Sequence, residues 1–152
     1  LQLNRDHAYP LVRDNQLRAM NNIGLFSTNV VATAHKAYPD PMDATKPLAD
    51  RARSYLAVNC ASCHLPGGPT PRQIDLRFHT ARASMNTMDV TPLGGDLGIT
   101  GAKIIKPGVK ASSVLWDRMR RRDFRGMPAI GSKRIDDAAV DLIGRWIDAG
   151  AP

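Results

Sequence analysis

Two cysteines and a histidine stand together in one short stretch of this 152-residue chain. Residues 56–68 read LAVNCASCHLPGG, so Cys60 and Cys63, the only cysteines, are three positions apart and His64 follows directly. Such a group can be a redox dithiol, half of a zinc site, or the attachment point of a c-type haem. Each of these chemistries needs different surroundings, and the rest of the chain distinguishes them.

A redox dithiol and a zinc site both fit poorly. A thioredoxin-like dithiol normally starts a helix in an α/β fold, whereas here the pair follows a predicted helix. A structural zinc site needs four ligands, usually from two separated pairs. His79 or His35 would have to complete it, and the adjacent side chains of Cys63 and His64 point apart in most backbones.

The haem interpretation uses every feature of the segment. Two thiols spaced by two residues can reach the two vinyl groups at one edge of a porphyrin, and the resulting thioethers prevent loss of the cofactor. The residue after the second cysteine is then the proximal ligand of the iron. We therefore predict one covalently bound haem c, with Cys60 and Cys63 as anchors and His64 as an iron ligand.

Two helices are predicted to position this segment. One begins near Pro47, which suits a first helical turn, and leads straight into Cys60. The other is the last helix of the chain, which Asp136 should cap and Gly150 should end. The first carries a series at spacings of three and four, namely Leu48, Ala52, Tyr55, Leu56 and Asn59. The second has a predicted buried stripe of Val140, Ile143 and Ile147 with Trp146.

Shorter helices and long loops complete the predicted organisation. Asp14 is a candidate cap for a helix in DNQLRAMNNIGLF, and Ser112 or Ser113 for one in ASSVLWDRMRRR. The Gly- and Pro-rich stretch from 65 to about 110 should be loop. Without convincing strand alternation, we predict an all-α protein with about three main helices around one haem. Residues 1–44 would form an N-terminal extension or linker with one short helix, and residues 45–152 the domain.

Composition narrows the choice of partners. Lys and Arg outnumber Asp and Glu by 21 to 14, which favours acidic partners. Nucleic acid is a poor candidate, because the basic residues lack interleaved aromatics and a reading motif. Only 5% of residues are aromatic, and Gly and Pro together number 23 (12 + 11), so a large apolar cofactor would fill an otherwise thin core.

The sequence shows the pattern of neither a transmembrane helix nor a signal peptide. No apolar run approaches the roughly 20 residues that span a bilayer. The first ten residues, LQLNRDHAYP, lack the basic-then-apolar order of a signal peptide. We therefore expect Leu1 to begin a processed or excised fragment.

The cysteine–histidine segment and three others carry a family resemblance: YLAVNCASCHLPGG, IKPGVKASSVLWDRM, RGMPAIG and LIGRWIDAG. Over approximately residues 45–152 the chain resembles class I c-type cytochromes. More specifically, it is similar to the monohaem cytochrome c domains fused to secreted oxidoreductases such as quinoprotein sugar dehydrogenases. The resemblance implies the cytochrome c fold, in which the helix before the haem motif crosses the C-terminal helix. Here that crossing would pack Tyr55 and Leu56 against Ile143, Trp146 and Ile147.

The resemblance also implies what the protein does and where. It would be an electron-transfer domain without catalytic side chains of its own. The redox donor would be a dehydrogenase domain on the same or an associated chain, and the acceptor another cytochrome or an oxidase. We expect a periplasmic or secreted bacterial protein that binds no nucleic acid and has no transmembrane segment.

The second axial ligand of the iron decides between electron transfer and catalysis. Met127 is the favoured ligand, because Gly126 lets the backbone approach the ring, Pro128 stiffens the loop, and Met-Pro matches the family's pattern. A thioether favours reduced iron and raises the potential. Met85 and Met88 remain rivals. An iron without a firm sixth ligand would instead suit a haem sensor or peroxidase.

The other candidate side chains are better explained without the haem. Met119 fits a helix core, and His7, His35 and His79 fit the tail or the surface. His64 should donate its second ring N–H to a backbone carbonyl within residues 65–75. Five arginines precede Met127, namely Arg118, Arg120, Arg121, Arg122 and Arg125. They could pair with haem propionates, steer an acidic partner, or form a solvated helix face.

Overall fold

The protein, analysed as a computed structural model, is described for residues 3–71 and 73–152. It divides into a compact unit that ends at Pro39 and a second that runs from Asp40 to Pro152. The predicted boundary between residues 44 and 45 stays a prediction. The strands are β1 (Asp6–Ala8) and β2 (Arg13–Asn15), and the helices are α1 (Gln16–Asn22), α2 (Leu48–Asn59), α3 (Val114–Met119) and α4 (Asp137–Asp148). Short 3₁₀ turns occupy Ala32–Ala34, Arg82–Ser84 and Lys110–Ser112.

The predicted all-α class, and with it the cytochrome c fold of about three main helices, is wrong. In the described part of the chain, four α-helices and the 3₁₀ turns bring the helical residues to only 31%, and β1 and β2 form a two-stranded antiparallel sheet. Asp6 pairs with Asn15 and Ala8 with Arg13. Strands of three residues are too short to show the alternation from which strands are predicted. The long loops are present as expected.

The turn between β1 and β2 and the cap of α1 follow from local chemistry. The Tyr9 N–H donates to the Val12 carbonyl at 2.8 Å, and Pro10 suits the second position of such a turn. Asn15, rather than the predicted Asp14, caps α1, because its side chain accepts the Leu17 N–H at 3.0 Å. Asp14 instead pairs with Arg18 one turn along.

The helices α2 and α4 have the bounds that their sequences indicate. Pro47 occupies the N-cap position of α2, so the helix begins at Leu48. The predicted cap of α4 is confirmed, since the Asp136 carboxylate accepts the Ala139 N–H at 3.0 Å. Gly150 follows the end of α4 with φ of +91°, which lies in the left-handed region that glycine adopts without a Cβ penalty.

The core forms where α2 packs on α4, and the expected packing is confirmed. Leu56 lies in one fully buried cluster with Ile143, Trp146 and Ile147, and Tyr55 packs at its edge. Residues from loops, rather than from further helices, complete this core, so the core needs few helical residues. These loop residues are Ile74, Leu76, Met85, Ile104 and Ile105.

The helix α3 is held by the loop before it. Ser113 stands at the N-cap position, but its side chain makes no capping bond. Its Oγ accepts the Lys106 N–H at 2.9 Å and donates to the Val109 carbonyl at 3.1 Å, which fixes the loop. The indole of Trp116 donates to the Val140 carbonyl at 3.0 Å and so joins α3 to α4. Across residues 3–71 and 73–152, none of the helices has the length and apolarity to cross a membrane.

The buried contact between α2 and α4 can be tested with two identical substitutions. Leu56 is 0% exposed and Leu93 is 75% exposed. We expect Leu56→Ala to lower the free energy of unfolding by about 2–5 kcal/mol, because it leaves a cavity in the core. Leu93→Ala should change it by less than about 0.5 kcal/mol. Urea unfolding of both variants measures the difference, and equal losses would contradict the described core.

Candidate functional site

The three residues of the cysteine–histidine motif lie on one turn at the end of α2. The Cys60 N–H still donates to the Leu56 carbonyl at 2.9 Å, but its φ and ψ of −124° and −35° leave the helix. The Cys60 carbonyl then accepts the N–H groups of both Cys63 (3.1 Å) and His64 (2.9 Å). One backbone oxygen therefore closes the turn that carries two thiols and an imidazole.

Both thiols are free and partly buried. Burial raises the pKa of the Cys60 thiol to about 12, and the nearby Cys63 adds to this shift. A redox dithiol works through a thiolate, and its attacking cysteine needs a lowered pKa. The environment of Cys60 therefore favours an inert thiol over a redox nucleophile.

The imidazole of His64 is held in a form that can bind a metal. Its ring is half-buried, and desolvation lowers its pKa and favours the neutral form, which is the form that coordinates metals. Nδ1 lies 3.5 Å from Thr70 Oγ1, and that hydroxyl lies 3.4 Å from the Cys63 carbonyl, to which it donates. Thr70 can then accept from Nδ1–H, and the lone pair remains on Nε2.

In the described residues the group that faces Nδ1 is a hydroxyl, and the expected backbone carbonyl partner stays a prediction. Thr70 does lie within the predicted segment 65–75. Its side chain takes this place because Gly68 lets the loop fold tightly back: a Cβ there would stand 2.4 Å from the Cys63 carbonyl oxygen. The Gly68 N–H donates to the Leu65 carbonyl at 2.9 Å and closes the turn.

Residues 75–77 form a second segment, which is hydrogen-bonded to the backbone of His64. The Leu76 N–H donates to the His64 carbonyl at 3.0 Å, and the Asp75 N–H donates to the Met85 carbonyl at 3.0 Å. The Asp75 carboxylate accepts the Arg77 guanidinium at 2.7 Å. This hydrogen bond is the main cause that lowers the pKa of Asp75 to about 2.

Met127 lies in a separate loop that follows α3. It is half-buried, and its N–H donates to the Arg118 carbonyl at 2.9 Å. The peptide bond between Met127 and Pro128 is cis. Gly126 is buried, and a Cβ at this position would stand 2.5 Å from the Arg121 carbonyl oxygen, so the loop requires glycine.

Tyr55 is near both parts of the candidate site. Burial raises its pKa to about 12, Asp136 and Cys60 add to this shift, and the positive charge of Arg122 opposes it. Arg122 in turn donates to the Met127 carbonyl at 3.4 Å. The structure thus brings Cys60, Cys63 and His64 together on one turn, and it places Met127 on the loop after α3.

The remaining methionines and histidines have other surroundings. Met85 is fully buried in the core, and Met88 packs against that core. The prediction that Met119 is a core residue is confirmed. Met20 lies in α1, and Met42 is half exposed. His7, His35 and His79 are exposed, as expected for surface residues.

Sequence reasoning missed how the arginines before Met127 are used. Arg118 donates to the carbonyls of Arg125 and Gly94, and Arg122 to the Arg134 carbonyl. The other three contact side chains: Arg121 pairs with Asp117, Arg120 stacks on Trp116, and Arg125 on Phe124. A signal was present, since five arginines stand beside a loop whose Gly and Pro residues leave backbone carbonyls without regular partners.

Comparisons with known proteins assign no function to this chain, so its function is inferred from its residues. Comparison with protein-family models, with curated proteins and with solved structures gives no match. Within residues 3–71 and 73–152, no group of three or more His, Cys, Asp or Glu side chains is placed to hold a metal ion.

The Asp75–Arg77 pair predicts a pH dependence. The pKa of Asp75 is about 2 in the folded protein and about 3.9 in an unfolded chain. Its stabilising contribution is therefore present above about pH 4 and is lost as the pH falls towards 2. We expect both Asp75→Asn and Arg77→Gln to flatten the fall of the unfolding free energy between pH 4 and pH 2, measured with urea. A slope in both variants equal to that of the wild type would contradict this role.

Proposed function

We propose that this chain is a monohaem c-type cytochrome that carries single electrons between a donor and an acceptor. The observation that supports it most is the single turn that carries Cys60, Cys63 and His64, with Nδ1 of the imidazole facing a hydroxyl. Porphyrin supplies four nitrogen ligands to its iron, so the protein must supply at most two. The proposal therefore does not require a cluster of three or four protein ligands.

The two cysteines would serve as covalent anchors. Each sulfur would be held in a thioether, and each thiol hydrogen would pass to the vinyl group that its sulfur joins, so the attachment would need no oxidant. A thioether has no acidic proton, so the burial that keeps the Cys60 thiol protonated carries no electrostatic cost once the sulfur is alkylated.

His64 and Met127 would provide the two axial ligands. A bound haem supplies a one-electron iron couple whose potential depends on these ligands. His64 would offer Nε2, with the Thr70 hydroxyl accepting the Nδ1–H. Met127 is favoured over Met85 because the latter is fully buried in the core, whereas Met127 is half-buried in a loop shaped by Gly126.

The proposed partners follow from the resemblance and the charge. We propose a dehydrogenase-type donor, on the same or an associated chain, and a cytochrome or oxidase as acceptor. The formal charge of +7 favours acidic surfaces on such partners. The proposed compartment is the bacterial periplasm or the exterior, where the similar haem domains are found.

The absorption spectrum tests the proposal as a whole. We expect the reduced protein to show a c-type spectrum and the oxidised protein to show the weak band of sulfur–iron ligation. The haem should resist extraction by acidic organic solvent, and the double variant Cys60→Ala/Cys63→Ala should release it. A colourless wild-type protein would overturn the proposal. A haem spectrum without the sulfur band would favour the alternative, a sensor or peroxidase.

The choice of Met127 has its own test. Met127→Ala should leave the haem attached, abolish the sulfur–iron band and open the iron to CO. We expect the reduction potential to fall by on the order of 0.1 V, because the thioether favours reduced iron. Met88→Ala, a matched loss of one thioether, should leave the band and potential nearly unchanged. Persistence of the band in Met127→Ala would transfer the assignment to Met85 or Met88.

A further inference from the structure

We infer that Arg118 is the positioning residue that keeps Met127 within reach of the haem iron. The inference rests on the proposed function, in which Met127 is an axial ligand. Arg118 belongs to the last turn of α3, and its carbonyl accepts the Met127 N–H at 2.9 Å. Its side chain donates to the Arg125 carbonyl at 2.7 Å and to the Gly94 carbonyl at 3.2 Å. A single residue thus makes three hydrogen bonds around the ligand loop.

The loop depends on such bonds because it has little structure of its own. Residues 120–136 contain no helix or strand, so their backbone groups need other partners. A guanidinium presents several N–H donors in a fixed plane and can bind two carbonyls without losing further rotamer freedom. Gly94 allows this close approach, since a Cβ there would stand 3.3 Å from Arg118 Nη2.

The rigidity of Arg118 comes from the core. Met119, the next residue, is buried in the core cluster. Trp116, two residues earlier, is hydrogen-bonded to α4 through Val140. The hydrogen bonds of the Arg118 guanidinium therefore restrain the loop relative to α3, and Trp116 in turn fixes α3 to α4.

Arg121 provides a matched control in the same segment. Its guanidinium pairs with the carboxylates of Asp117 at 2.5 Å and Asp123 at 3.6 Å. The bonds described for its side chain involve no carbonyl of the ligand loop. Arg118→Gln and Arg121→Gln remove the same charge three positions apart, but only the first removes the side-chain bonds to the Arg125 and Gly94 carbonyls.

Exogenous imidazole measures how often Met127 leaves the iron. Imidazole can bind only the fraction of molecules in which the sixth position is open, so its apparent affinity scales with that fraction. If Arg118 holds the loop, its loss raises the open fraction and tightens imidazole binding. A residue that only stabilised the fold would lower the melting temperature and leave imidazole affinity unchanged.

The experiment is a spectroscopic imidazole titration of the oxidised holoprotein. We expect about tenfold tighter binding in Arg118→Gln than in the wild type, which corresponds to about 1.4 kcal/mol. Arg121→Gln should remain within about twofold of the wild type. Arg118→Lys keeps the charge but not the planar fork, so it should show tighter binding too. It supplies the test if Arg118→Gln does not fold.

Two results would overturn the inference in different ways. Unchanged imidazole affinity in the Arg118 variants, with the sulfur–iron band intact, would show that Arg118 does not position Met127, while the ligand assignment would stand. A wild-type haem protein that lacks this band and binds imidazole as tightly as Met127→Ala would show that Met127 is not a ligand. In that case the inference falls together with that part of the proposed function.

Discussion

The burial of Leu56 against Ile143 and Ile147 fixes where α2 ends relative to α4, and the rest of the candidate site follows from that position. Four residues after Leu56 the chain leaves the helix at Cys60, whose carbonyl gathers the N–H groups of Cys63 and His64. The position of the turn that carries both cysteines and His64 is thus set by apolar packing one turn away. Hydrogen bonds then refine what the packing has placed.

Loops take a larger share of this arrangement than helices do. The residues that follow His64 fold back at Gly68, and the segment with Asp75 and Leu76 links the His64 backbone to that of Met85. Around Met127, arginine side chains satisfy carbonyls that a helix would have satisfied itself. The low helical content is compensated by these side-chain bonds and by apolar loop residues that complete the core.

The parts that could be predicted from the sequence are those in which local preference and burial agree. The stripe of α4, its Asp136 cap and the Gly150 that follows are of this kind. The parts that could not be predicted depend on contacts distant in sequence. Strands of three residues are too short to show a periodic pattern. Asn15 and Asp14 are equally suitable as helix caps by residue type, and it is the sheet, in which Asn15 pairs with Asp6, that puts Asn15 at the cap position. The use of Ser113 depends on where residues 106–109 pass.

The order of the elements along the chain affects how the molecule folds. Helices α2 and α4 form the core together, yet residues 60–136 separate them, and the described residues of that segment contain only one short α-helix. Closing so long a loop costs entropy before the contact stabilises anything, and folds that depend on such distant contacts form slowly. During synthesis from the N-terminus, the turn with both cysteines therefore emerges well before α4 exists to fix it. The thiols pass through an interval of high accessibility that the finished protein no longer has.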